Sequence, residues 1–260
     1  MIKFCNLFSG SSGNSTYIES ENAKILVDAG VSCLKITKAL ASIGVELDEI
    51  NAIIISHEHI DHTKGLATIA KKHNTPIYAT PKTWSNMESL KIDENCRRTF
   101  EAGETFEISD IKIESFSIPH DAADPCGFSI YSGGKKVTVA TDIGHVDDSL
   151  VEQMSGSDMV LVESNYDCDT LLCGPYPYCL KKRILSDVGH LSNEATSKLV
   201  RRLYEAGVSN FVLGHLSKEN NFPELAYQTV LNEINSSDKK TPFNLSIAGR
   251  DTIDDVMEIV

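Results

Sequence analysis

Three histidines and one aspartate lie within the six residues His57–His62. Imidazole nitrogens and carboxylate oxygens are the ligands that borderline divalent cations prefer. The segment follows the apolar run Ala52–Ile55, which is typical of a strand buried on both faces. The candidate ligands of the segment are His57, His59, Asp61 and His62. We expect the first two to face one cation and the last two to turn towards a second cation nearby.

Further ligand-type residues stand where other predicted strands end. These residues are Asp28, His120, Asp142 and His215. One polar residue after a strand is common, whereas several strand ends that share one chemistry are not. A histidine-rich surface loop is the alternative interpretation, because short motifs occur by chance, but it does not account for the other strand ends.

The order H-x-H-x-D-H, with an aspartate upstream and His, Asp and His downstream, resembles the metallo-β-lactamase superfamily over nearly the whole chain. The resemblance implies an α/β fold, the four-layer αββα sandwich, with two divalent cations (Zn, Mn or Fe). By position it gives the metal ligands as His57, His59, Asp61, His62, His120, Asp142 and His215. In that assignment Asp142 bridges the two cations, and Asp28 orients ligands through hydrogen bonds.

Two details narrow the resemblance to a hydrolase. His62 completes a second metal site, unlike the lactamases, and His59 stands where di-iron oxygen reductases tend to have Glu. The segments Gly189–Ala195 and Leu213–Ser217 are similar to the closing motifs of transfer-RNA 3′-processing nucleases, in which the first histidine, here His190, assists catalysis. Asp61 and His190 are therefore the candidate catalytic residues.

Imidazole titrates near neutral pH, so His190 is suited to steady charge in the transition state or to protonate a leaving oxygen. Without the resemblance, a histidine that merely lies near the start of a helix is an equally good interpretation.

Three other segments resemble one subgroup of the superfamily, the YycJ/WalJ-like (VicX) proteins. They are Phe8–Ser15, Pro119–Pro125 and Gly174–Tyr178. The subgroup is described as metal-dependent double-stranded DNA exonucleases that digest 5′→3′ and are linked to mismatch repair. The resemblance implies a phosphodiesterase, with DNA as the first candidate substrate. Two alternatives stay open: a hydrolase of RNA, cyclic nucleotides or small phosphodiesters, and a metal-bound regulatory partner without catalysis.

Substrate contacts are predicted in two places. The loop Ser9–Ser15, and in it Ser11, Ser12 and Asn14, offers backbone N–H groups that could cradle a phosphate. On sequence alone, a tight connection between strands is the somewhat better interpretation of that loop.

The second place is a basic run beside tyrosines. Tyr176 and Lys181 are the predicted contacts, because aromatic and basic side chains together suit stacking and backbone charge. The alternative is a solvated helix face, which is the usual outcome for a charge run.

Composition sets the remaining bounds. The chain has 260 residues, of which 41% are hydrophobic and 23% are charged, with a net charge of −13. These are ordinary globular values, and the acidity argues against a broad nucleic-acid-binding face. We expect one domain, residues 1–260, without the β-CASP insertion, since 73 positions separate Asp142 from His215.

The remaining predictions concern environment. No apolar stretch reaches the roughly 18 residues of a membrane span, and no export signal is evident, so a cytoplasmic location without membrane contact is expected. Oligomeric state is not readable. The seven cysteines lack CxxC spacing and predict free thiols, without a further metal site at Cys168, Cys173 and Cys179.

Hydrophobic patterning predicts the order of elements. The predicted strands are 2–8, 16–19, 24–27, 52–55, 76–79, two strands within 104–118, 127–131, 136–140, 159–162 and 211–213. The predicted helices lie between Ser32 and Gly44 and at 65–73, 81–90, 193–205 and 223–234.

Overall fold

A computed structural model describes all 260 residues. Its fourteen strands are β1 (Ile2–Phe8), β2 (Ser15–Glu19), β3 (Lys24–Val27), β4 (Ala52–Ile54), β5 (Ile77–Ala79), β6 (Arg97–Thr99), β7 (Thr105–Ile108), β8 (Ile111–Ser117), β9 (Cys126–Ser132), β10 (Lys135–Ala140), β11 (Met159–Glu163), β12 (Asn210–Gly214), β13 (Asn244–Ile247) and β14 (Met257–Ile259).

Its nine α-helices are α1 (Cys33–Ser42), α2 (Ile60–Thr63), α3 (Leu66–His73), α4 (Pro81–Asn86), α5 (Asp148–Met154), α6 (Cys168–Cys173), α7 (Tyr178–Ile184), α8 (Asn193–Glu205) and α9 (Pro223–Asn235). Short 3₁₀ turns occupy Leu47–Glu49, Glu88–Leu90 and Glu94–Cys96. A membrane crossing needs a long apolar helix, and none of these helices satisfies both conditions.

The chain divides into two compact units. The first unit comprises residues 1–117, 122–135 and 249–260. The second unit comprises residues 118–121 and 136–248.

In the first unit, seven strands form a sheet in the order β14-β1-β2-β3-β4-β5-β6. Pairing is antiparallel from β14 to β3 and parallel from β3 to β6. The three strands β7, β8 and β9 pair antiparallel within the same unit. Helices α1 and α3 bury Ile36, Leu40, Leu66 and Ile69 in its main hydrophobic core. The Ser32 side chain caps α1 by accepting from the backbone N–H of Lys35, as predicted.

In the second unit, β10 (from residue 136 on) to β13 run parallel to one another. Every residue of β11 is buried, which is the pattern expected for a strand covered on both faces. The longest helices of this unit are α8 and α9, which carry buried Leu199, Leu203, Val230 and Ile234.

The predicted strands and helices are confirmed to within a few residues. The largest difference in a predicted helix is at α4, which ends at Asn86 instead of Leu90 because a 3₁₀ turn follows. The elements that the sequence did not predict are β6, β13, β14, α2, α5, α6 and α7. They are all short, so they offer too few residues for a clear hydrophobic period.

Candidate metal centre

The parallel strands of the second unit bring three ligand-type residues to one edge. In the register of β10, β11 and β12, Ala140 lies opposite Val162, and Glu163 lies opposite Gly214. The carboxyl ends of these strands therefore meet, and Asp142, Glu163 and His215 follow or complete them. Carboxyl ends of parallel strands are the usual place for ligands in open α/β sheets.

Several of these positions have an uncommon backbone conformation. Asp28, Asp142 and His215 have φ values of +63°, +62° and +52°. Positive φ is sparsely populated by residues other than glycine, and such residues cluster at functional sites. The chain thus turns sharply just after β3, β10 and β12, and each turn presents a polar side chain.

We call His57, His59, Asp61 and His62 the first ligand set; it lies in the first unit. The ring nitrogens His57 Nε2 and His59 Nδ1 are 3.0 Å apart. Asp61 Oδ2 lies 3.7 Å from His62 Nε2. His57 and His62 are almost fully buried, so these imidazoles are largely shielded from bulk water.

Asp28 lies next to the first ligand set and bonds one of its imidazoles. Its Oδ2 atom lies 2.7 Å from His62 Nδ1, and its Oδ1 atom accepts the backbone N–H of Ser56 at 2.8 Å. A carboxylate only accepts, so His62 carries its proton on Nδ1 and presents a lone pair on Nε2. This is the tautomer that a metal-binding histidine needs.

A close backbone contact fixes the turn that carries Asp61. The Asn14 N–H donates to the Asp61 carbonyl at 2.8 Å, and the Gly30 N–H donates to the Asn14 carbonyl at 2.8 Å. A Cβ atom on Gly30 would lie 1.6 Å from the Asp61 carbonyl oxygen. Only glycine therefore allows these segments to approach so closely.

We call His120, Asp142 and His215 the second ligand set; it lies in the second unit. Asp142 Oδ1 is 3.7 Å from His120 Nε2 and 3.5 Å from His215 Nε2. His120 Nδ1 lies 3.0 Å from the Gly189 carbonyl, so it donates there and leaves the Nε2 lone pair to a cation. Burial lowers the pKa of His120 and outweighs the opposing charge of Asp142, which favours the neutral, metal-binding form.

Glu163 organises the second unit's site, although the sequence analysis did not single it out. Its fully buried carboxylate accepts the backbone N–H groups of Ile143 at 2.6 Å and Leu191 at 2.8 Å. Its Oε2 atom lies 3.2 Å from the Nδ1 atoms of both His190 and His215. Burial alone would raise the pKa of Glu163, but the neighbouring imidazoles hold that pKa below the ordinary glutamate value.

A signal for Glu163 was present in the sequence. It directly follows the apolar run Met159–Val162, just as Asp28 directly follows the apolar residues of β3. The same rule, a ligand-type residue at the end of a buried strand, would have identified it.

The donor set fits a divalent cation. Within the second unit, ligand atoms of Asp142, Glu163, His190 and His215 all lie within 4.8 Å of one another. In His62, His120 and His215, Nδ1 lies next to an acceptor, which places the lone pair of each ring on Nε2; at His62 the Asn14 amide group lies 3.1 Å from that atom. Two imidazoles and a carboxylate in a buried position are the donors that Zn²⁺ and similar cations take.

The predicted catalytic histidine lies at a cavity. His190 has a side chain that is 16% exposed, in contrast to the fully buried Glu163. It lines a cavity of about 540 Å³ together with Tyr166 and Lys198. With Nδ1 next to Glu163, the Nε2 atom is the one that can exchange a proton with a substrate.

In the loop predicted to cradle a phosphate, internal bonds take up several of the amides. The Gly10 N–H donates to Asn14 Oδ1 at 2.8 Å, and the Gly13 N–H donates to the Gly10 carbonyl at 2.9 Å. The Asn14 amide group lies 3.1 Å from His62 Nε2. Asn14 therefore has a structural role, whereas Ser11 and Ser12 are exposed and stay predictions as substrate contacts.

In the basic run, the two side chains that were predicted to contact substrate make contacts within the protein. The Lys181 ammonium donates to the carbonyls of Leu172 at 2.7 Å and Gly174 at 2.8 Å, so it closes the end of α6. Tyr176 packs partly buried against a small core of Tyr166, Leu171 and Ile184. All seven cysteines are free thiols, as expected.

Comparison with known proteins identifies relatives over most of the chain. The Beta-lactamase superfamily domain matches residues 23–216. Exodeoxyribonuclease WalJ of Streptococcus pneumoniae is 42% identical over 241 residues, which cover 91% of this chain and 90% of that protein. Exodeoxyribonuclease YycJ of Bacillus anthracis is 38% identical over 232 residues, which cover 88% of each.

The fold is shared with solved structures. The metallo-beta-lactamase fold protein YhfI of Bacillus subtilis superposes with a TM-score of 0.77 and 15% sequence identity, covering 98% of this chain and 100% of that one. The predicted fold class, the αββα metallo-β-lactamase sandwich, is therefore confirmed, and so is the predicted family.

Proposed function

Because the chain belongs to the beta-lactamase superfamily, we propose that it is a metal-dependent exodeoxyribonuclease. The proposal rests on the sequence similarity of this chain to two proteins named exodeoxyribonucleases, which are 42% and 38% identical to it over about nine-tenths of its length. The chemistry of the ligand sets agrees, since buried imidazoles and carboxylates suit divalent cations.

We extend the proposal to the ligands. As the superfamily resemblance implies, the residues of the first and second ligand sets, Asp142 among them, would hold two divalent cations. The support is the superfamily membership and the donor chemistry of each set. The identity of the cations is left to measurement, with Zn, Mn and Fe as the candidates.

The chain's own residues would then divide the work. Bound divalent cations supply a water molecule ionised near neutral pH and neutralise the charge of the phosphodiester. Asp28 and Glu163 accept from Nδ1 of His62 and His215, which places the lone pair of each ring on Nε2. His190, partly exposed and held at Nδ1 by Glu163, would in its doubly protonated form give the Nε2 proton to the departing oxygen of the DNA strand and become neutral.

Digestion of labelled DNA tests this function. The purified protein is supplied with Mn²⁺, Mg²⁺ or Zn²⁺ and a linear duplex labelled at one 5′ end, with a closed circular duplex alongside. We expect release of the label as a mononucleotide if digestion runs 5′→3′, and no cutting of the circle. A ladder of shortening labelled fragments would reverse the polarity but keep the function.

A variant pair makes the assay specific. His59→Ala should abolish digestion, whereas His73→Ala should not, because His73 pairs with Asp48 outside the ligand sets. Intact DNA with all three cations, or a cut circle, would contradict the proposal. Faster turnover of RNA, a cyclic nucleotide or bis-p-nitrophenyl phosphate than of DNA would favour the alternative hydrolase.

A further inference from the structure

Two cavities on the second unit, one at His190 and one beside an exposed aromatic ring, have Leu185 in common in their linings. We call the surface that they form together the groove and define it by Leu172, Tyr178, Lys182, Leu185, Lys198 and His190. We propose that this groove binds a DNA strand close to its reacting end, with a base stacked on Tyr178, the backbone along Lys182 and the last nucleotide in the cavity at His190. This inference rests on the proposed exodeoxyribonuclease function and names how it holds its substrate.

Two cavities form the groove, and they share one wall. The first, of about 600 Å³, is lined by residues that include Tyr176, Tyr178 and Lys182. The second, of about 540 Å³, is the cavity at His190. Leu185 lines both, so the two cavities are neighbours, and the proposed strand passes from one to the other over Leu185. Each volume is within the range of small-ligand sites, which is about 300–1,000 Å³.

Tyr178 is the exposed aromatic residue of the groove. It is 81% exposed, and the neighbouring Leu172 is 57% exposed. Tyr176, by contrast, packs against the small core and is not free to receive a base on both sides. An exposed ring on a short helix is a platform on which any base can stack, because every base has a π-face.

The basic side chains near the groove also differ in whether they are already paired. Lys181 is occupied by two backbone carbonyls, and Arg183 pairs with Asp121. Lys182 lies in the exposed part of α7 and lines the first cavity. We therefore assign the strand contact in this proposal to Tyr178 and Lys182, next to the Tyr176 and Lys181 that the sequence predicted.

Charge favours a phosphate-bearing occupant. Residues 178–202 contain six lysines and arginines and two carboxylates, within a chain whose net charge is −13. The second cavity has Lys198 and Arg202 in its wall, with Glu194 nearby, and Arg202 also pairs with Asp148. Because Arg201 pairs with Glu205 and Glu233, Lys182 and Lys198 are the cations of this face that we assign to the phosphates of the strand.

A direct binding assay tests the groove without turnover. A short fluorescein-labelled single-stranded oligonucleotide is titrated with protein in EDTA, and anisotropy gives Kd. We expect Tyr178→Ala to raise Kd about tenfold, since stacking on one aromatic side chain is worth that much or more. Tyr178→Phe keeps the ring and should bind like the wild type. Phe222→Ala, which removes an aromatic residue that is 57% exposed elsewhere, is the matched control and should have no effect.

The charge contact has its own variants. Lys182→Ala should weaken binding a fewfold and flatten the dependence of Kd on salt, because one phosphate contact is lost. Lys72→Ala removes an exposed lysine of α3 and should leave the salt dependence unchanged. With metal-loaded protein, Tyr178→Ala should raise KM for DNA but leave hydrolysis of bis-p-nitrophenyl phosphate at the wild-type rate.

The outcomes separate the two proposals. A wild-type protein that digests DNA while Tyr178→Ala keeps its Kd and KM would overturn the groove and leave the function intact. A wild-type protein that digests no DNA would overturn the function itself. If Tyr178→Ala changes sedimentation of the free protein but not DNA binding, the exposed ring belongs to a protein interface and the groove proposal is wrong.

Discussion

The two ligand sets are built in different ways. The first is a single turn of six residues in which neighbouring positions supply four ligands, and Asp28 supports one imidazole from behind. The second gathers its residues from separate stretches of chain, and one carboxylate, Glu163, bonds two imidazoles and two backbone amides.

This difference has a mechanical consequence. In the first set, the backbone of the turn keeps the ligand-type residues together. The set should therefore be most sensitive to substitutions that disturb the close packing of that backbone. Around the second set, side-chain hydrogen bonds do this work at His215, which shares the Glu163 carboxylate with His190, whereas His120 is held by the Gly189 carbonyl. The Glu163 carboxylate is therefore the contact whose loss should disturb this site most. A substitution that disturbs backbone packing should therefore affect mainly the first set, and a substitution that removes a side-chain hydrogen bond should affect mainly the second.

Asp142→Asn should have the largest effect. Its carboxylate lies near the Nε2 atoms of His120 and His215, and Asn tolerates the positive φ of this position. Loss of a cation removes several kcal/mol of transition-state stabilisation, which is roughly a thousandfold in rate. The measurement is kcat on DNA with cation content by elemental analysis. Asp238→Asn, at an exposed position, is the control, and equal activity in both variants would contradict the role of Asp142.

Glu163→Gln should cost more than Asp28→Asn. We expect about a hundredfold loss of activity in the first and about tenfold in the second, which are the two ends of the range for residues that orient metal ligands. Gln replaces one of the two carboxylate oxygens of Glu163 by an NH₂ group, which cannot accept. Either the two imidazoles or the two backbone N–H groups then lose their acceptor. Measured kcat, with circular dichroism to show a retained fold, checks the order, and a reversed order would contradict the comparison.

Gly30→Ala should test the backbone of the first set. The added methyl group would meet the Asp61 carbonyl, so we expect a loss of about 2 kcal/mol in the free energy of unfolding. Urea denaturation gives the value. Gly44→Ala, where φ is +77° and a Cβ meets nothing within 4 Å, gives the cost of backbone strain without a contact, whereas Gly30 has no positive φ and its cost comes from the contact alone. An unchanged free energy of unfolding in Gly30→Ala would show that the contact with Asp61 does not matter.

Asn14→Ala should have the smallest effect. It removes a buried acceptor for the Gly10 N–H and a donor near His62, which is worth about 1 kcal/mol. We expect a lower urea midpoint and little change in Kd for DNA. A large rise in Kd with unchanged stability would instead return Asn14 to the substrate contacts predicted from sequence.

The first ligand set could be proposed from sequence because its chemistry is local. Four candidate ligands within six residues after an apolar strand are visible in the sequence, and the strand Ala52–Ile54 is confirmed where the pattern predicted it. The second set could be predicted only as single residues at strand ends. The bonds of Glu163 to His215 and His190 link positions 52 and 27 residues apart in the chain, and sequence does not show which distant residues come into contact.

The substrate contacts show the same limit. A lysine beside two tyrosines is visible in the sequence, but the acceptors that occupy Lys181 are the carbonyls of Leu172 and Gly174, which lie seven to nine residues away. Backbone acceptors leave no compositional signal. The short helices α6 and α7, which decide which ring is exposed, were likewise too short to predict.

The number of cations bound by the native protein is the most direct test of the proposed two-cation site. Native mass spectrometry of metal-loaded wild-type protein and of Asp142→Asn gives that number for each. We expect two divalent cations on each wild-type chain and fewer on the variant. A wild-type chain that carries none, or a variant that keeps both, would contradict it.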